Sequence, residues 1–421
     1  MYCEMNIMKI IILNGVRTMI QKDRAILREL ARQYRDVSEL DCHAKTIADW
    51  KRLNSLKPVR PMVLIDQICW EEMNTGGELT LRCEDAFLRE LEWHMRSELY
   101  KWNHFRVDMA IPPYLEVNKV YTSTGYGVET KFRADDLPHA DALTHLYDDQ
   151  IPDEAALEKL RVPDVRFDAE TTAAREALVN ELIGDILPVR MTGESIWAAL
   201  WDRIVFWRGA TPVLYDLADR PEFLHKLMRR LLDIEMELLS RYEREGLLDT
   251  QQRLIHCCGA HTDELSGEGA KHCWAAGAAQ IFSEVSPTMH DEFEIEYMKE
   301  YYERFGLVNY GCCEPLHNKI DIIRKIKNVR LISVSPWANV TAAAERMGGD
   351  YVMARKPNPA LIAMDSFDDS LVIAETKATL KACRDNNTPC EFILKDITTV
   401  RNEPERLTRW AELVQSVINN F

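Results

Sequence analysis

No stretch of the 421-residue chain approaches the ~20 consecutive apolar residues of a membrane-spanning helix, which leaves a helical membrane protein without support. Regular cysteine spacing is lacking too. The eleven cysteines are odd in number and unevenly placed, which suits a reducing cytoplasm better than a secreted disulfide scaffold. No glycine-rich phosphate loop follows any predicted strand, which leaves a dinucleotide-binding Rossmann domain without support. Blocks of one charge are absent as well. The net charge of −16 is spread along the chain, which argues against a nucleic-acid backbone as the main partner. What the chain does have is a hydrophobic fraction of 46%. At this length that is enough for one barrel with insertions, or for two domains.

Residues 1–18 contain a short apolar run, MKIIILNGV, without a small-residue cleavage site. They read as a tail or as sequence upstream of the natural start, with an edge strand at Ile10–Leu13 as the rival reading. From Met19 onward the chain reads as a single domain. An amphipathic helix carrying Ile20, Ile26, Leu27 and Leu30 comes first. Eight apolar segments then read as strands: 60–66, 106–117 (broken at Pro112–Pro113), 187–195, 278–287, 306–315, 329–336, 350–359 and 390–397. Helical segments separate them, with insertions expected at about 118–186 and 246–277. Strand–helix alternation predicts a parallel sheet with right-handed crossovers. Eight such units favour an α/β fold of the (β/α)8 TIM-barrel type.

In such a barrel, chemistry gathers where strands end. The stretch GLVNYGCCEPLH, 306–317, opens as a buried strand and ends in Cys312, Cys313, Glu314 and His317. Thiolate and imidazole are zinc donors. With Glu284 expected at the end of the preceding strand, a metal site of Glu284, Cys312 and Cys313 is one reading. The other is two cysteines packed as small hydrophobes and a glutamate in a cap or salt bridge. Tyr310, Lys356 and Asn358 stand as catalytic candidates, the last two on a KPNP loop stiffened by proline. Asp66, Tyr114, Glu116 and Arg190, at other strand ends, are candidate substrate contacts. Lys395–Asp396 reads as an ion pair closing the last strand. HCCGAH, 256–261, is rich in zinc-type donors in His256, Cys257, Cys258 and His261 but lacks the donor spacing of a structural zinc site; it reads as a loop folding over the pocket, with a rival metal site as the alternative. Tyr121, Tyr126, Trp201 and Trp337 are candidates to line the mouth.

RPMVLID, SEVSP, YGCCEPLH, VSPWAN, KPNP and EFILKDI together resemble the uroporphyrinogen decarboxylase superfamily from about Met19 to the C-terminus. The likeness is greatest to its cobalamin-dependent methyltransferase and O-demethylase branch. That resemblance implies a zinc-dependent enzyme moving a methyl group between a small methylated substrate and a corrinoid held on a separate protein. It also implies a His-x-Cys pair at one strand end and a further cysteine at the eighth. This chain has Tyr310-Gly311-Cys312 and Lys395–Asp396 at the positions matched to them. The arginine-rich first-strand segment of true decarboxylases is missing around Ile68–Asn74, and no DxHxxG-like corrinoid motif is present. A decarboxylase-like lyase and a non-catalytic binding barrel remain the alternatives.

Overall fold

The amphipathic run after Met19 forms a helix over residues 21–38 that buries Leu27, Leu30, Ala31 and Tyr34 against helix Ala86–Phe105 and helix Ala169–Ile183. The structure, a computed structural model, describes residues 21–134 and 145–421. The expected tail over 1–18 and the strand at Ile10–Leu13 lie outside the described residues.

In chain order the strands are β1 (Met62–Ile65), β2 (Leu115–Asn118), β3 (Tyr121–Ser123), β4 (Phe132–Ala134), β5 (His145–Tyr147), β6 (Val165–Phe167), β7 (Val189–Thr192), β8 (Ile196–Trp197), β9 (Leu254–Ile255), β10 (Cys258–Gly259), β11 (Trp274–Gly277), β12 (Leu307–Tyr310), β13 (Val329–Val334), β14 (Val352–Arg355) and β15 (Cys390–Leu394). Seven of them form one curled parallel sheet in the order β1-β15-β14-β13-β12-β11-β8. Its strands are nearly continuous apolar runs because both faces are covered. Alternate residues sort by face. Val63, Val308, Ile332, Met353 and Phe392 pack outward in one cluster with residues of the long helices Pro221–Arg244 and Glu405–Asn420. Met62, Leu64, Leu331, Val352, Ala354 and Ile393 face inward. Burying a large aliphatic side chain contributes ~1.5–3 kcal/mol. This inner apolar layer is therefore strong enough to carry the few polar groups set among it.

The inner layer is completed by a hairpin rather than by the sheet alone. β9 and β10 pair antiparallel and bring Ile255, Cys257, Cys258 and Ala260 into the same cluster. Asn54 Nδ2 donates to the carbonyls of Gly259 (2.8 Å) and His261 (2.9 Å), and Trp274 Nε1 to that of Ala260 (2.9 Å). The segment read as a loop over the pocket is thus an internal element. β2 and β7 form a separate parallel pair, and the Asp108 N–H donates to the Val63 carbonyl (2.9 Å) beside β1. In the first insertion β3 pairs with β6 and β4 with β5, both antiparallel.

Seven of the expected strand segments contain a strand, and one does not. Residues 278–287 curl into the 3-10 turn Gln280–Phe282, and the strand is the preceding Trp274–Gly277. Asp202 fixes that turn by accepting from the Gln280 backbone N–H (3.0 Å) and its side chain (2.7 Å). Among the described residues, no helix is long and apolar enough to cross a membrane.

Candidate active site

Four strands of the curled sheet, β11, β12, β14 and β15, deliver the site, together with the β9–β10 hairpin. β12 is followed by Gly311, whose φ of +94° places it where side chains rarely go, and where an added Cβ would meet Leu316 at 2.4 Å. Glycine therefore permits the sharp turn that folds Cys312 and Cys313 back over the strand end. The buried Glu314 carboxylate accepts from the Cys312 N–H (3.0 Å) and the Ala279 N–H (3.3 Å), joining the turns after β12 and β11. Burial raises its pKa.

β14 and β15 contribute one lysine each. Lys356 and Lys395 lie two residues beyond the inward-facing Ala354 and Ile393, so strand alternation carries them to the inner face. Lys395 Nζ stands 3.4 Å from Cys312 Sγ, 3.6 Å from Cys313 Sγ and 2.6 Å from Asp396 Oδ2. The two sulfurs are 3.4 Å apart. The contact between the two sulfurs, in which either can donate, holds the Cys313 thiol below the ordinary range, with Lys395 helping, and drives Cys312 upward. Against the cost of burial, the two thiols and Asp396 leave the Lys395 ammonium harder to deprotonate than a free lysine.

The hairpin supplies the imidazole. His256 and Cys257 are its two loop residues, and both have positive φ, 43° and 68°. This is the type I′ geometry that Asn-Gly usually fills. Two side-chain-bearing residues are held there at a conformational cost of the kind that collects at functional sites. His256 Nε2 lies 3.1 Å from Cys312 Sγ, and the Trp197 indole stacks on the ring at a centroid distance of 4.1 Å. Burial, then Lys356 and Lys395, push its pKa down to about 3, so the imidazole is neutral at physiological pH.

Deeper in the interior, Lys356 Nζ is 3.0 Å from Cys258 Sγ, and Asn309 Nδ2 is 3.4 Å from the same sulfur. Glu391 accepts from the Gly259 N–H (3.4 Å), and burial pushes its carboxyl up to about 7. Ser333, Ala354 and Glu391 lie side by side across β13, β14 and β15. Asn309 Oδ1, Ser333 Oγ and Glu391 Oε1 have no hydrogen-bond partner among the described residues. Such a polar, buried row is where internal water is held.

The remaining predicted residues fall elsewhere. Tyr310 points to the outer face, where its hydroxyl meets His290 Nε2 (2.8 Å) and donates to Glu294 Oε2 (3.0 Å), away from Lys356. Asn358 does not face the interior. Its Oδ1 accepts from the Ala360 N–H (3.0 Å), and its own N–H donates to Glu375 (3.1 Å), a turn that starts helix Ala360–Ala363. Tyr114, Glu116 and Arg190 do come together. Arg190 donates to Glu116 (2.6 Å) and lies 4.7 Å over the Tyr114 ring, and Arg253 clamps the other carboxylate oxygen (2.9 Å). Arg190, Arg253 and Tyr114 line a cavity of about 310 Å³ beside the hairpin. Asp66 instead lines a smaller neighbouring cavity together with Cys257 and Arg253. Of the four aromatics, Trp201 is buried with Nε1 donating to the Phe293 carbonyl (3.1 Å), and Tyr126 donates to Glu235 (2.7 Å). Tyr121 packs on Tyr242, and Trp337 is 71% exposed.

Glu284 is exposed beyond the 3-10 turn and has no bond to Cys312 or Cys313, because the strand before it ends seven residues earlier. Among the described residues, no group of three or more His, Cys, Asp or Glu side chains is placed to hold a metal ion. The residues that sequence reasoning leaves out of the site are His256, Cys258, Glu391 and Lys395. The signal is present in the sequence: His256-Cys257-Cys258 has the His-x-Cys spacing that the resemblance implies and that Tyr310-Gly311-Cys312 lacks.

No family model matches the chain, and no curated protein sequence matches it. Among solved structures it is similar to a methyltransferase from Methanosarcina mazei. The TM-score is 0.50 at 11% identity, covering 88% of this chain and 98% of that one. At that identity the likeness is one of fold.

Proposed function

We propose that the chain is a methyltransferase that moves a methyl group between a small methylated substrate and a corrinoid carried by a separate protein. In this reading the curled sheet belongs to a (β/α)8 barrel of the uroporphyrinogen decarboxylase type. The observation that carries the reading is the meeting of His256, Cys312, Cys313 and Lys395 from three separate elements at one end of the parallel sheet. The fold shared with a methyltransferase from Methanosarcina mazei supports it.

The residues suit the charge changes of methyl transfer. A heteroatom that gives up a methyl group gains negative charge, and Lys395 is a fixed cation beside both sulfurs. The neutral His256 ring is in hydrogen-bond contact with the Cys312 sulfur, and with the imidazole pushed down and the thiol pushed up the proton rests on sulfur. Among the described residues, the zinc ion that the resemblance implies has no complete donor set in this arrangement.

The test is transfer to free cob(I)alamin from methoxy-aromatic, methylamine and methylthiol donors, followed by the visible spectrum of methylcobalamin. Formation from one donor class, lost in the Cys312→Ala/Cys313→Ala double variant, supports the reading. Absence of product from every class, with carbon dioxide released from a carboxylated substrate, replaces it with the lyase alternative.

A further inference from the structure

We infer that Lys395 takes the place of a metal ion at the thiol pair, so that this site works with an ammonium group where sulfur and imidazole donors would otherwise gather a divalent cation. The inference deepens the methyl-transfer reading, on which its functional meaning rests, but its geometry and its test are independent of any substrate.

The argument begins with what the site has. An imidazole nitrogen 3.1 Å from a thiol sulfur, and a second sulfur 3.4 Å beyond, are donors of the type zinc prefers. What stands against a cation is the occupant already present. Lys395 Nζ is within 3.6 Å of both sulfurs, and its side chain is only 3% exposed. Asp396, at 2.6 Å, ties the ammonium in place and is itself neutralised by it. A divalent ion bound between these sulfurs would lie within a few ångströms of a buried ammonium. Like charges at that separation, both shielded from water, repel strongly. Lys356, also buried on the inner face, adds a second positive charge from the neighbouring strand. The ammonium differs from a metal in kind. It offers hydrogen bonds and charge but no coordination bond, so the thiols stay free to approach a substrate atom.

The experiment measures metal, not turnover. Wild-type chain, Lys395→Cys and Cys312→Ala are produced in zinc-supplemented medium, passed over a desalting column and analysed for zinc. They are then titrated with Co²⁺, whose thiolate charge-transfer band reports sulfur coordination. Wild-type chain is expected to carry well under one zinc per chain and to give no thiolate band. Lys395→Cys, which exchanges the cation for a third soft donor, is expected to rise to about one zinc per chain and to show the band. Near-stoichiometric zinc in the wild type that disappears in Cys312→Ala overturns the inference. So does a wild-type cobalt–thiolate band lost in the same variant. If Lys395→Cys fails to fold, these two wild-type measurements still decide the matter. Failure here leaves the methyl-transfer reading standing, and absence of methyl transfer leaves the assignment of Lys395 standing.

Discussion

Lys356 Nζ stands 3.0 Å from Cys258 Sγ, and neither residue is more than 2% exposed. The pair joins β14 to the hairpin across the interior. Burial opposes the charge of Lys356, yet Cys258 and Glu391 more than offset it and leave the ammonium the favoured form.

Lys356→Met should therefore strip the interior of the charge that Glu391 faces. Leaving buried polar partners unsatisfied costs about 1–3 kcal/mol. Here the loss should be near that range at pH 8 and smaller at pH 6, because Glu391, pushed up to about 7, takes a proton below neutrality. Urea unfolding at the two pH values checks this. Glu391→Gln in the same chain should recover most of the pH 8 loss.

Glu294 gives the chain a stability slope of its own. Burial drives its carboxyl up to about 8, with the Tyr310 hydroxyl pulling the other way. Its folded pKa lies above the ordinary 4.5, so the folded state holds the extra proton. That contribution is complete below about pH 4.5 and is lost as pH rises through about 8, at about 1.4 kcal/mol per pH unit at most. Melting temperatures from pH 5 to 9 should fall less steeply in Glu294→Gln than in the wild type. Parallel curves would show that Glu294 is ionised in the fold.

Glu116 is the shared acceptor of Arg190 and Arg253. Glu116→Ala leaves two mostly buried guanidinium groups facing each other, and should cost about 3 kcal/mol. Glu116→Gln, which keeps one acceptor oxygen, should cost less. Thermal unfolding of the two variants orders them. An equal effect would mean that packing rather than charge is what Glu116 supplies.

Gly259 is fixed by contact, not by its backbone angles. A Cβ there would lie 2.4 Å from the Trp50 ring, and Trp50 is itself tied to the Asp108 carbonyl (2.7 Å). Gly259→Ala should destabilise by about 1–3 kcal/mol, the range for overpacking, and Trp50→Leu in the same chain should return part of it. Chemical denaturation of the single and double variants is the measurement.

The sequence shows the parallel sheet most clearly where β-branched and aromatic residues fill a strand, as in Leu307–Tyr310 and Val329–Val334. It conceals Trp274–Gly277, whose Ala-Ala-Gly core has little strand preference, and offers in its place the apolar Gln280–Phe282, which coils. Cys312 is legible because it closes a strand. Tyr310 is misplaced because facing is a matter of parity, and a shift of one residue exchanges inside for outside. His256 stays hidden because its turn lacks the Asn-Gly that announces a two-residue hairpin. Lys395 and Asp396 look like a private pair because they are adjacent. Nothing local says that Cys312, 83 positions earlier, is the third member.

The order of the sheet has a consequence for how the chain is made. β1 aligns with β15 from Met62 opposite Glu391 to Ile65 opposite Leu394. A nascent chain emerging from the ribosome therefore carries its first strand, with a bare edge, through the synthesis of more than three hundred further residues. Two apolar margins, one on β1 and one on β14, stay open until that late segment arrives. A truncation before Cys390 leaves both unsealed, and aggregation of such fragments follows from the same geometry that seals the finished protein.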